Sequence, residues 1–479
     1  MDYAQLESYS HLEIPSKMAD HSTNGGINGV EVNTLESRGV GDETKNNADV
    51  EYEPYEHRKN NIHATSNTET LLHLIKGSVG AGLLAMPLAF KHAGLLTATI
   101  GTIIISFLAS YCMHQLLRMQ HHICKRQGVP QIEYSDAMKI AVRNGPHCFK
   151  WLTKPSPYIV DFFVSAYQLG ICCAYVGFIA GTVKQMAEFY WDIHLDIRIW
   201  MLIVGVVITP LNQIRNLHYL SPLSAAGDFL LIGGLVIIYY FIFEEGMPSF
   251  EGKDWVSDRP FTGFALFFGT IMYSVQTIGV IVALENDMKT PADYRKPAGV
   301  FNVGMVIITL GYLFTGFFGY LKWGNTTQAT ITWNLPNNNA LTECIKVMFA
   351  VLILLTYPLQ CYVPIEIMWQ NYIRTHVRKA SPGMQSFYST LLRALILWAT
   401  VILSITVPFL DLLISIVGGF CLPTVGITFP AIMEICIFHN EGKLSSLMLG
   451  KNICLMIFGV FSCVLSTFVC LLEIYDKVK

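Results

Sequence analysis

The chain has 479 residues, 52% of them hydrophobic and only 14% charged, with a formal net charge of −3. A soluble domain carries about 25% charged residues, so the solvated surface it would need is missing and the chain reads as a membrane protein. The balance of 32 Lys+Arg against 35 Asp+Glu supplies no basic field for nucleic acid.

Residues 1–66 are polar, with stretches such as His21-Ser22-Thr23-Asn24-Gly25-Gly26. They are too poor in apolar residues to build a core, which predicts a disordered tail. The start lacks the basic and apolar regions of a signal peptide, so the tail is expected in the cytosol. Beyond it, apolar runs long enough to cross roughly 30 Å of hydrocarbon occupy 70–90, 95–117, 157–181, 197–214, 222–243, 260–284, 298–320, 340–365, 388–407, 410–436 and 449–472. This predicts an all-α membrane protein of 11 transmembrane helices, with the split at Pro408 the one that decides between ten and eleven. With the tail inside, the inner loops hold 17 Lys and Arg and the outer loops 6, which agrees with the positive-inside rule. Asn325-Thr326-Thr327 is an N-x-S/T sequon in a predicted outer loop, so Asn325 is the candidate glycosylation site.

Two spans are interrupted at mid-depth. The first reads His73-Leu74-Ile75-Lys76-Gly77-Ser78-Val79-Gly80-Ala81-Gly82, with three glycines in six residues, and the sixth reads Tyr273-Ser274-Val275-Gln276-Thr277-Ile278-Gly279. Lipid offers no hydrogen bonds to an unwound backbone, and breaks at matching places in two halves mark a transporter site. The alternative for Gly77, Gly80 and Gly82 is a small-residue helix-packing face; a phosphate cradle fails, because no strand precedes them and the order is not GxGxxG. The expected organisation is a first repeat over 67–243, a second, inverted repeat over 244–436, and an added helix with a short terminus over 437–479.

Several motifs resemble the proton-coupled amino acid transporter family of the amino acid/auxin permease group. They are Leu72-His73-Leu74-Ile75-Lys76-Gly77-Ser78-Val79-Gly80-Ala81-Gly82 through Pro87, Phe267-Phe268-Gly269-Thr270, Leu284-Glu285-Asn286-Asp287, Ile331-Thr332-Trp333-Asn334-Leu335-Pro336, Thr356-Tyr357-Pro358 through Glu366, and Leu410-Asp411-Leu412 through Gly418. The resemblance covers 66–475 and implies a LeuT-like fold and import of small neutral amino acids (glycine, alanine or proline) with a proton, at the plasma or lysosomal membrane. It departs at Val275-Gln276-Thr277, where the family usually has an acidic and a small residue.

For a zwitterion, backbone N–H groups from Ser78 through Ala81 to Gly82 would meet the carboxylate, and carbonyls freed from Ser274 through Gln276 and Thr277 would meet the ammonium. Gly77, Gly80 and Gly82 permit close approach. Thr277, Ile278 and the span 3 aromatics Tyr167 and Tyr175 would limit the side chain. His73 carries an imidazole, the side chain suited to proton exchange, and is the position the resemblance gives to the proton-linked histidine; Glu285 is a second proton-coupling or inner-gate candidate. The proton is the coupling ion, and no cofactor or metal is expected: His121-His122 lacks metal-ligand spacing, and no HExxH or P-loop occurs, so no enzymatic reading survives. The rival reading is an amino acid sensor on the same scaffold, with little net flux. Tyr3-Ala4-Gln5-Leu6 and Tyr9-Ser10-His11-Leu12 fit tyrosine-based endocytic or lysosomal sorting signals. The twelve cysteines, with no CxxC pair, read as small packing residues.

Overall fold

The structure, a computed structural model, describes residues 52–57, 64–78, 80–214, 217–275, 278–337, 339–377 and 381–479. Most of the expected disordered tail, both sorting signals and the residues Gln276 and Thr277 lie outside the described residues. The helices are α1 (Asn67–Ser78), α2 (Ala81–Ala93), α3 (Leu95–Gln127), α4 (Tyr134–Arg143), α5 (Ser156–Trp191), α6 (Ile197–Asn212), α7 (Leu217–Phe243), α8 (Pro260–Val275), α9 (Ile278–Asp287), α10 (Val300–Trp323), α11 (Ala340–Ile367), α12 (Pro382–Thr406), α13 (Leu410–Pro423), α14 (Phe429–Asn440) and α15 (Ser446–Val478). The only β contact among the described residues is a parallel bridge between Thr65 and Met288.

Every predicted apolar window holds helix. Among the described residues, seven helices are long and apolar enough to span a membrane, α1 and α2 do so as a pair bent by 52°, and three shorter apolar helices fill Ile197–Asn212, Leu230–Phe243 and Pro260–Val275. The chain is split at Pro408, between Thr406 and Leu410. Two helices outrun their windows: the 95–117 run continues to Gln127 and the 157–181 run to Trp191. Hydrogen bonding continues past the apolar stretch until a left-handed residue stops it, at Gly128 (φ 66°) and Asp192 (φ 52°). The helix α4, which sequence reading left as loop, presents buried Ala137, Met138, Ala141 and Val142 to α5 and α14.

Local signals explain several helix starts. Ser66 and Glu69 form a reciprocal capping box at α1: Glu69 N donates to Ser66 Oγ (3.3 Å), and Ser66 N donates to Glu69 Oε2 (2.7 Å). Ser381 and Ser445 cap α12 and α15 through the N–H groups of Met384 and Met448.

The core is built on α2, α8 and α13, which are buried along most of their length. Around them, α5 packs against both α11 and α13, and α10 covers α1 and α2. Between α8 and α13 the backbones nearly touch: a Cβ on Gly418 would stand 1.9 Å from Gly269 O. The outer helices turn large apolar side chains outward, including Phe107 (75% exposed) on α3 and Phe461 (61%) on α15, as a lipid-facing surface requires. Eight of the twelve cysteines are buried, and all twelve are free thiols.

Candidate functional site

The two interruptions come together at the centre. The first helix pair ends α1 at Ser78 and restarts at Ala81 after Gly80; the second ends α8 at Val275 and restarts at Ile278. Each break exposes helix-end carbonyls on one side and helix-start N–H groups on the other. Ser78 Oγ donates to Leu74 O (2.8 Å) and Ser274 Oγ to Thr270 O (2.8 Å), so both hydroxyls turn back into their own helices. The carbonyls of the same two residues point instead to one hydroxyl. Tyr312 OH on α10 lies 2.6 Å from Ser78 O and 2.6 Å from Ser274 O. A hydroxyl has one hydrogen and each carbonyl two lone pairs, so this junction has acceptor capacity to spare for a cationic ligand group.

Close approach holds the halves together. A Cβ on Gly82 would stand 2.7 Å from Ser274 Oγ and 2.8 Å from Ser274 Cα, so only glycine fits there. Across from Gly80, the Tyr175 hydroxyl is 3.8 Å from where a Cβ would be. Tyr167 and Tyr273 meet edge to face, with ring centres 6.5 Å apart. The site is thus walled by α1, α2, α5, α8 and α10.

Of the residues singled out from sequence, Ser78, Ala81, Gly82, Ser274 and Ile278 are buried, Gly80 is half-buried and Gly77 is exposed. His73 is exposed on α1, off the face that carries buried Thr70, Leu74 and Ser78. Sequence reading missed Tyr312, which resembles any aromatic in an apolar span. Glu434 is buried (3% exposed) and joins three spans: Gln115 Nε2 (2.9 Å), Asn452 Nδ2 (2.8 Å) and Lys451 Nζ all donate to its Oε2.

Glu285, at the end of α9, is buried and paired. Arg295 Nε lies 3.1 Å from Glu285 Oε1, and the Tyr55 hydroxyl donates to the same oxygen at 2.9 Å. Tyr55 belongs to a helical turn, Pro54–His57, that the chain lays across this end of the bundle. Its ring stacks on His121 of α3 (4.4 Å) and lies under the Arg295 guanidinium (5.5 Å). Burial and the Glu285 carboxylate push the Tyr55 hydroxyl well above its ordinary value. Glu53 faces His121 and Lys125, and Thr65 N donates to Asp287 O (2.7 Å). The segment before the first span therefore straps α3 to α9. Arg295→Ala leaves the buried Glu285 without this cation and is expected to lower the melting temperature of the detergent-solubilised protein by several degrees. Arg295→Ala/Glu285→Gln should recover part of that loss; no recovery would show that the ion pair is not what is lost.

At the opposite end, Ile331-Thr332-Trp333-Asn334 forms a short 3-10 turn over α5. Trp333 Nε1 donates to Thr182 Oγ1 (3.1 Å), and its ring stacks on Phe178. Beside it is a cavity of about 190 Å³ bounded by Gly177, Met201, Trp333 and Leu410. Asp411 at its edge pairs with Lys477 at 2.7 Å. Among the described residues, no group of three or more His, Cys, Asp or Glu side chains is placed to hold a metal ion.

This geometry defines a carrier built around two discontinuous spans. The family model described as transmembrane amino acid transporter protein matches residues 63–472, and the chain belongs to that family. It is similar to the Drosophila melanogaster protein named proton-coupled amino acid transporter-like protein pathetic, at 27% identity over 418 residues and 87% of each chain. It is also similar to amino acid transporter AVT3C of Arabidopsis thaliana, at 26% identity over 433 residues, 86% of this chain and 92% of that one. Among solved structures, the inward-facing conformation of Mhp1 matches with a TM-score of 0.51 at 13% identity, covering 87% of this chain and 92% of that one. That match shows the fold alone, which is LeuT-like. The protein is a multi-pass membrane transporter for amino acids and not an enzyme.

Proposed function

We propose that the protein is a proton-coupled secondary carrier of small neutral amino acids, working by alternating access around the two breaks. The observation that carries this reading is the convergence of the Ser78 and Ser274 carbonyls on Tyr312. The ammonium binds these carbonyls, and the carboxylate binds the N–H groups that open α2 at Ala81 and Gly82. The proton coupling follows the family resemblance at His73 and the name of the Drosophila relative. Glu285, clamped between Arg295 and Tyr55, serves the inner gate in this reading.

The test is uptake of labelled alanine, glycine and proline in sodium-free buffer at external pH of about 5.5 and about 7.5, which bracket the imidazole pKa. Acid-stimulated uptake in the wild type, lost in His73→Ala, is the expected result. Acid stimulation that survives His73→Ala would remove that histidine from the coupling. No flux through surface-expressed wild type, with flux in Gln276→Glu, would favour the sensor reading.

The membrane is the plasma or the lysosomal membrane, with the end that carries Tyr55 and Arg295 in the cytosol, as the bias of basic residues favours. Asn325 then faces outward in an exposed turn. Glycosidase treatment is expected to increase the gel mobility of the wild type and to leave Asn325→Gln unchanged; an insensitive wild type would argue against both the modification and its use as a topology marker.

A further inference from the structure

Gln168 sits midway along α5, where an unpaired polar group is costly. It is 3% exposed, and its Oε1 has no hydrogen-bond partner. Its Nε2 stands 3.0 Å from where a Cβ on Gly279 would lie, beside the first turn of α9. Gly279 itself is exposed, between buried Ile278 and Ile281. The amide therefore lies against the exposed first turn of α9, next to the break in the sixth span, with its buried oxygen unpaired. It lies seven residues before Tyr175, hence on the same face of α5 and about 10 Å along it. That face looks at Gly80 with Tyr175 and at Gly279 with Gln168, so one helix flanks both breaks.

We propose, resting on the carrier reading above, that Gln168 is the residue that reads the substrate's side chain, and that the preferred substrates are small neutral amino acids bearing a hydroxyl. With the ammonium and carboxylate held at the breaks, the substrate's side chain is the part that reaches Gln168. A carboxamide offers one acceptor and two donors, and turning it over exchanges which of them faces the break. A hydroxyl on the substrate satisfies either arrangement; a methyl in the same place leaves the buried amide unpaired. Gln168, Tyr167, Tyr175 and Tyr273 carry no formal charge, so a charged substrate side chain finds no counter-ion among them.

Labelled serine and labelled 2-aminobutyrate, which puts a methyl where serine has its hydroxyl, form the test pair. Wild type is expected to prefer serine in kcat/KM by about tenfold, and Gln168→Met, which keeps the length but removes the amide, should erase that preference. A purely structural role would slow both substrates alike and leave the ratio unmoved. Should Gln168→Met fail to reach the surface, Gly279→Ala, whose methyl would press on Nε2, is expected to lower the same ratio. An indifferent wild type, or an unchanged ratio in the variant that reaches the surface, overturns the proposal. Absence of all amino acid uptake by surface-expressed wild type would instead overturn the carrier reading beneath it.

Discussion

Replacing Tyr312 with phenylalanine is expected to cut amino acid uptake at least about tenfold with little change in the amount of carrier at the surface. The ring would keep its place in the core, since Tyr312 is fully buried and loses only one oxygen. What disappears is the donor between Ser78 O and Ser274 O, each 2.6 Å away. Leaving a buried acceptor unpaired costs about 1–3 kcal/mol, and about 1.4 kcal/mol is a factor of ten in an equilibrium. The two helix ends would lose their common tie and with it the spacing that presents both carbonyls to one ammonium. Uptake divided by surface-biotinylated protein measures this directly. Wild-type flux in Tyr312→Phe would mean that the hydroxyl only fills space.

The second large effect is expected from Gly82→Ala. The added methyl would overlap Ser274, at 2.7 Å from Oγ and 2.8 Å from Cα. The side-chain oxygen can rotate away, but the Cα belongs to the backbone and cannot. Overpacking of this kind costs about 1–3 kcal/mol, and it falls where the two breaks must meet. Uptake is expected to fall to background. Gly311→Ala is the matched control: it lies in α10, where a Cβ meets nothing within 4 Å, and it should transport like wild type. Equal activity in the two variants would show that α2 and α8 separate freely at this point.

Much of the fold was legible in the sequence, because a lipid solvent forces long apolar runs and punishes unwound backbone. The break after Ser78 stood out because Gly77, Gly80 and Gly82 are poor helix formers gathered at mid-depth. Its partner in the sixth span was found by position. The residue that joins them was not visible: Tyr312 is one of 22 tyrosines, and nothing local separates a bridging hydroxyl from an aromatic used for packing. The exposed position of His73 was readable in principle. Thr70, Leu74 and Ser78 recur at helical spacing and define the buried face of α1, and His73 falls beside it. The cluster around Glu434 needed the structure, since Gln115 and Asn452 are 337 residues apart. The helix α4 escaped because its ten residues are too few to cross a membrane and its loop was read for charge alone.

The near-contact of Gly269 and Gly418 bears on how such a molecule can move. Two helices whose backbones touch have no side-chain layer to slide on, so α8 and α13 behave as one plate, with α2 fixed to it through Gly82 and Ser274. The tail-side half-helices are held differently. α1 rests chiefly on α10 and α9, and α9 is tied to the strap through Asp287 and Glu285. The breaks therefore fall at the border between a stiff body and a lighter one. A rocking motion of the lighter piece would use each break as an axle, and the segment that precedes the first span, pinned to α3 at Tyr55 and to α9 at Thr65, would set how far it can swing.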